Sequence, residues 1–269
     1  MEEQAPGDAP PPAEPATPSS LDGGLAARSP EQEAELARRV EALAAAVGEA
    51  KSDRDRRRRL DPLRVAAYAG FEPAAAAIRG LGLTPPDPGG PLAEPFLSAI
   101  PGGKVTQVVA ACAVARAVIL VARRAVKAGW LEEDAASLAL EAAEGWLDSP
   151  SGEGELATRE AAETAQEAHE RGLNSARLNR VAGDVTLEAG YATRAAELAA
   201  RAAHAPSEDE ARVALLTQLQ PASLALINPD FKSDSPERRI AVHVVQRDWI
   251  LPAVKNALIE WALRPRGPG

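Results

Sequence analysis

The stretch KVTQVVAACAVARAVILVARRAVKAGWLEEDAASLALEAAEGWL, Lys104 to Leu147, decides the fold class. Val105, Val108, Cys112, Ala115, Ile119, Ala122 and Val126 recur at alternating three- and four-residue spacing, the period of one face of an α-helix. Val109, Val118, Leu120 and Val121 fall outside that seam. The helix is therefore apolar over most of its circumference and belongs inside a bundle. Gly129 suits the left-handed position just past a helix end, with Trp130 folding back on the last turn. Glu132, Glu133 and Asp134 bring negative charge to the start of the next helix. Leu131, Ala135, Leu138, Ala142 and Trp146 are expected to face the first helix. So short a connection implies an antiparallel helical hairpin.

Composition extends this reading to the whole chain. Of 269 residues, 45% are apolar but only 3% aromatic, and alanine supplies much of the apolar count. Alanine is the best helix former and lets helix axes approach to the lower end of ~8–10 Å. The expected fold class is all-α: a multi-helix bundle built around a central antiparallel hairpin, with a disordered N-terminal tail. A net charge of −9 lacks the basic face a general nucleic-acid binder needs. The one cysteine, Cys112, can form neither an intramolecular disulfide nor a thiolate zinc site. The opening MEEQAPGDAPPPAEP is unlike a secretory signal. The most apolar run, Val105 to Ala122, is interrupted by Arg116 and reads as a buried core helix rather than a membrane span. A cytoplasmic location follows as the expectation.

Three regions are expected: a Pro/Ala-rich tail at 1–28, one helical domain at 29–264 and a short tail at 265–269. The breaker-rich loop GLTPPDPGGPL, 82–92, is the clearest internal boundary. Ser29-Pro30-Glu31-Gln32 and Ser207-Glu208-Asp209-Glu210 have the form of capping boxes. The basic run KSDRDRRRRLD, Lys51–Asp61, reads as a solvated helix end or linker in preference to a phosphate, nucleic-acid or acidic-partner contact through Arg54–Arg59, since no aromatic interleaves with the arginines. Asp61-Pro62 reads as the start of a short helix closed by Gly70. Residues 155–170 form a helix that packs through alanine or lies on the surface; Gly172, Asn174 and Asn179 then weaken it. Segments 157–169 and 192–204 look alike, a match that alanine-rich composition explains better than a structural repeat. Pro221 is expected to bend or end its helix, Asn228-Pro229-Asp230 to form a loop, and Pro252 to kink the last helix. That helix carries Ile240, Val244, Trp249, Leu251, Val254, Leu258 and Trp261 at largely helical spacing.

Motifs for chemistry are missing. There is no Gly-rich phosphate loop, nucleophile elbow or His-Glu-x-x-His. The residues three before the histidines are Gln166, Arg201 and Ile240, so the Glu-x-x-His pairs of a bundle di-iron site are lacking. His169 and His204 read as helix-end or surface residues, and His243 as a partly buried structural one. Arg116 is the open case. As a buried arginine it needs a partner: a carboxylate of the following helix, Glu141 or Glu144, or an anion held in the interior. No metal or cofactor is expected.

The segment Ala110-Ala111-Cys112-Ala113-Val114-Ala115-Arg116, followed by Ala139-Leu140-Glu141-Ala142-Ala143-Glu144-Gly145-Trp146-Leu147, resembles the alanine-rich helical immunity-type proteins of bacterial toxin systems. The resemblance spans roughly residues 61–205. Where that family has an Asp-x-Arg-Pro element, this chain has Glu133-Asp134-Ala135-Ala136. It implies an all-helical, non-enzymatic binding protein. Two functions are therefore weighed: a protein-interaction module of the immunity, adaptor or scaffold type, its partner another protein or a second copy; and a small-molecule- or anion-binding bundle, enzymatic or not, using Arg116.

Overall fold

Helix starts in this chain are fixed by short polar side chains. Ser29, Ser52, Asp134, Ser207 and Ser235 each accept a bond from the backbone N–H three residues on, satisfying a donor that the first helical turn leaves without a partner. The computed structural model describes residues 28–88, 90–129, 131, 134–178, 183–227 and 235–265. Among them every regular element is helical: α1 Pro30–Gly48, α2 Asp53–Tyr68, α3 Glu72–Gly80, α4 Ala93–Ser98, α5 Gly103–Lys127, α6 Ala135–Asp148, α7 Gly152–Leu178, α8 Gly183–His204, α9 Glu208–Leu224, α10 Pro236–Val245 and α11 Leu251–Ala262. A π-helical turn, Gln246–Ile250, joins the last two. The tail expected before Arg28, the loop at Asn228-Pro229-Asp230, Trp130 and Asn179 lie outside the described residues.

Several boundaries differ from expectation, each for a local reason. Arg28, placed in the tail by composition, is anchored: its guanidinium donates to Asn256 Oδ1 at 2.8 Å and lies 5.9 Å from the Phe71 ring centroid. Of the two readings of the basic run, the solvated helix end holds: it forms the first half of α2, capped by Ser52, and the helix continues through Pro62 instead of starting there. Arg59 ties this half down through Asp55 (2.9 Å) and the Ala46 carbonyl (2.8 Å). Gly172 does not weaken α7. A Cβ there would lie 3.8 Å from Gly190 Cα, so the two glycines mark the closest approach of α7 and α8. Pro221 sits within α9, which continues to Leu224.

The burial pattern of α8 sets the packing. Ala189, Ala192, Ala195, Ala196, Ala199, Ala200, Ala202 and Ala203 are all buried, and α8 packs against α5, α6, α7 and α9. The middle place expected for the α5–α6 pair is thus shared with a helix of low hydropathy, because alanine's small side chain lets four neighbours crowd one axis. α5 has the length and hydropathy to cross a membrane, and 72% of that window is buried inside the protein. In α6 the inward stripe is Ala135, Ala136, Ala139, Leu140, Ala143 and Trp146, whereas Leu138, expected to face inward, is 54% exposed. One apolar cluster runs from Leu36 to Leu263 across the 82–92 loop; Tyr68 OH donates to the Phe96 carbonyl at 2.7 Å from the other side of it.

Gln218 of α9 is fully buried where α5, α8 and α9 meet. Its Nε2 donates to the Ala111 carbonyl of α5 at 2.9 Å and to the Ala195 carbonyl of α8 at 2.6 Å. Its Oε1 is buried without a donor. Ala111 and Ala195 lie inside helices, where their carbonyls already accept the i+4 N–H, so losing the amide leaves them satisfied. Gln218→Leu is therefore expected to change stability by no more than ~1 kcal/mol. Gln218→Glu places a carboxylate against two carbonyls and should cost about 3 kcal/mol or more at neutral pH. Burial raises the new carboxyl's folded pKa above its unfolded value, so its penalty shrinks as pH falls toward the carboxylate range. Urea unfolding of both variants beside the parent at two pH values checks this.

Candidate functional site

Arg116 lies on the solvent side of α5. Its side chain is 61% exposed, and its Nε donates to Glu144 Oε1 at 2.6 Å. Glu141, one turn before Glu144, is exposed, and Glu144 is the carboxylate that meets the guanidinium. That bond is the main cause holding the Arg116 pKa above its ordinary value. The premise that Arg116 is buried fails because the apolar stripe of α5 does not close around the whole helix. Two turns on, Arg123 Nε donates to Ser137 Oγ at 2.9 Å, and Ser137 in turn donates to Asp134. Cys112, one turn before Arg116, is buried, and burial, with Glu144 as the second cause, pushes its thiol well above the usual range. It is inert as a nucleophile.

A second polar constellation escaped the sequence reading. Glu197 of α8 is fully buried and flanked on its own helix by Arg194 and Arg201, which both contact its carboxylate. Arg201 also donates to Gln166 of α7 at 2.5 Å. Nearby, the His169 ring donates from Nδ1 to the Gly190 carbonyl at 2.7 Å, since a carbonyl can only accept. The signal was present as Arg194-x-x-Glu197-x-x-x-Arg201, the only charged residues but Glu188 and Asp184 on an otherwise alanine-rich helix. At i−3 and i+4, both arginines share one face with the glutamate. The two arginines more than balance the one carboxylate, and through the Arg201–Gln166 bond the set serves as a polar weld between α7 and α8.

A cleft of about 910 Å³ opens between α1, the α2–α3 turn and α11, with Phe71, Leu251, Pro252 and Ile259 in its wall. Arg28, Arg247 and Lys255 bring positive charge to it, Glu33 and Glu72 negative. Lys255 lies 5.2 Å from the Phe96 ring centroid, and burial lowers its pKa. Among the described residues no group of three or more His, Cys, Asp or Glu is arranged to hold a metal ion.

The most unusual surface is α10. It buries none of its residues, and Ile240 and Val244 are 63% and 40% exposed. Sequence spacing had placed both on the apolar stripe that continues through Leu251, Val254 and Leu258, which are buried. The π-turn explains the difference. Leu251 N–H bonds to the Gln246 carbonyl, five residues back. One extra residue in a turn shifts the phase by roughly 100°, so the stripes of α10 and α11 face different ways. His243, expected to be partly buried, is exposed for the same reason. No family model, curated protein or solved structure matches the chain.

Two measurements follow from these environments. The Arg116–Glu144 pair is largely solvated, so a double-mutant cycle with Arg116→Ala and Glu144→Ala should return a coupling of only ~0.2–1 kcal/mol, reduced by salt. His169 and His204 are both held below the ordinary value of 6.5, chiefly by burial. Their folded values lie below the unfolded ones, so the stability they confer is complete above about pH 6.5 and is lost as pH falls through the folded values. The urea midpoint should drop between about pH 7 and about pH 5, and the His169→Gln/His204→Gln variant should lose part of that drop.

Proposed function

We propose that this chain is a non-enzymatic protein-interaction module, of the immunity, adaptor or scaffold type, that acts through a helical surface in the cytoplasm. The observation that carries this reading is α10, a capped helix that presents Ile240 and Val244 to solvent and fully buries none of its residues. Apolar side chains displayed together on a helix with a polar surround are the form a helix-in-groove or helix-pairing contact takes. The resemblance of residues 61–205 to the immunity-type family points the same way. The burial of most of α5 supports a protein that does not use this helix as a membrane anchor.

On the same footing we read α5 and α6 as an antiparallel hairpin. Arg116 meets Glu144 while Arg123, further along α5, meets Ser137, earlier in α6. The alternative, an anion held inside the bundle by Arg116, has less support: that guanidinium faces solvent and already contacts a carboxylate.

The test compares the native protein with Ile240→Asp/Val244→Asp as immobilised bait in a lysate of the source cells. Neither position is buried, so the variant should keep the parent's helical signal and melting behaviour. A protein recovered by the parent should fall about tenfold or more with the variant, the ratio expected once ~1.4 kcal/mol of contact energy is removed. Equal recovery by both baits would rule out α10 as the working surface.

A further inference from the structure

The charged residues beside the apolar pair suggest what covers it. Glu237 lies three residues before Ile240, and Arg247 three residues after Val244, so all four share one side of the helix. All four are exposed. Set two copies of α10 antiparallel across a two-fold axis at Val242. Each position then faces the one equally far from the centre on the other helix. Ile240 of one copy meets Val244 of the other, and in the same register Glu237 of one copy meets Arg247 of the other. The charge and apolar patterns agree on one register, and no like charges oppose each other in it. Self-complementarity of this kind is what an isologous contact requires.

We infer that α10 and the start of the π-turn pair with the same segment of a second copy of this chain, antiparallel, through Ile240 against Val244 and Glu237 against Arg247 of the turn. This rests on the reading of α10 as the interaction surface and names its partner. The neighbouring groups are compatible with it. Arg247 holds Asp248 of its own chain through two bonds at 2.6 and 2.8 Å, an exposed pair in which Asp248 faces Pro236 of the other copy. His243 faces Ala241 across the axis. The base of the helix is fixed, because Gln246 Nε2 donates to Ser223 Oγ of α9 at 3.1 Å; the pairing face is thus presented from a rigid mount. Two ten-residue helices cover less than the ~1,200 Å² of a standard interface, so the association is reversible and depends on concentration.

Sedimentation equilibrium of the purified full chain, from about 10 μM to about 1 mM, the range suited to a small interface, tests this. The average mass should rise from the 28.1 kDa of one chain toward twice that value. Ile240→Asp should hold it at the monomer. Glu237→Arg and Arg247→Glu, each alone, should weaken association several-fold by opposing like charges, and the two together should restore it. Circular dichroism establishes that each variant is folded before its mass is read. A parent that stays monomeric throughout, or a double charge exchange no better than either single change, overturns the pairing. A monomeric parent that still captures another protein through α10 overturns the pairing alone and leaves the interaction reading intact.

Discussion

The bundle depends on how closely α5, α8 and α9 approach one another. Gln218 can reach carbonyls on two neighbouring helices only because the residues it reaches, Ala111 and Ala195, have no side chain beyond Cβ to keep it away. An isolated buried amide would be a liability, and its Oε1 is left without a donor. Its two Nε2 bonds instead tie α9 to α5 and α8 at one axial register, adding a directional contact to the alanine face of α8. Alanine contributes little area per residue, so the core gains from many close contacts, and a polar key supplies the specificity that interlocking large side chains give elsewhere.

The same logic governs the seam between α7 and α8. The Gly172–Gly190 approach brings the backbones close enough for the His169 ring to bond the Gly190 carbonyl directly. Leu131 and Leu173 pack beside the two glycines, and further along the seam Glu197, its two arginines and Gln166 supply polar contacts. A fully buried carboxylate without cations would be costly, and the arginines at i−3 and i+4 remove that cost while keeping their outer atoms in water.

Helix existence was legible in the sequence because capping residues and three–four periodicity are local. Ser29 with Gln32, Gly129 at a left-handed φ of +75°, and the helical runs of α1, α5 and α8 all follow from neighbours within a few positions. What could not be read locally was which face turns inward. Leu138 faces out because α8, far along the chain, covers the alanine stripe of α6 instead. Hydropathy favoured α5 as the centre since valine scores above alanine, while packing favours α8 since alanine admits more neighbours. Arg116 was legible as a paired residue and misjudged in depth. Glu197 was missed because its two partners are ordinary surface types at ordinary spacing, and only burial distinguishes them.

The π-turn decides which way the last two helices face. Pro252 has no N–H and its ring crowds the carbonyl four residues back, so a continuous α-helix through this point would be strained. Widening the turn over Gln246–Ile250 relieves that crowding and rotates α10 out of phase with α11. Without the extra residue, Ile240 and Val244 would extend the stripe of Leu251, Val254 and Leu258 into the core. With it, a ten-residue helix packs only lightly, through Val245 and its contact with α9, and buries none of its residues fully. Isolated helices below ~12–15 residues are marginal in water, since packing supplies most helical stability. The Ser235 cap and the Gln246–Ser223 bond hold the two ends of α10, and Val245 packs against the core between them.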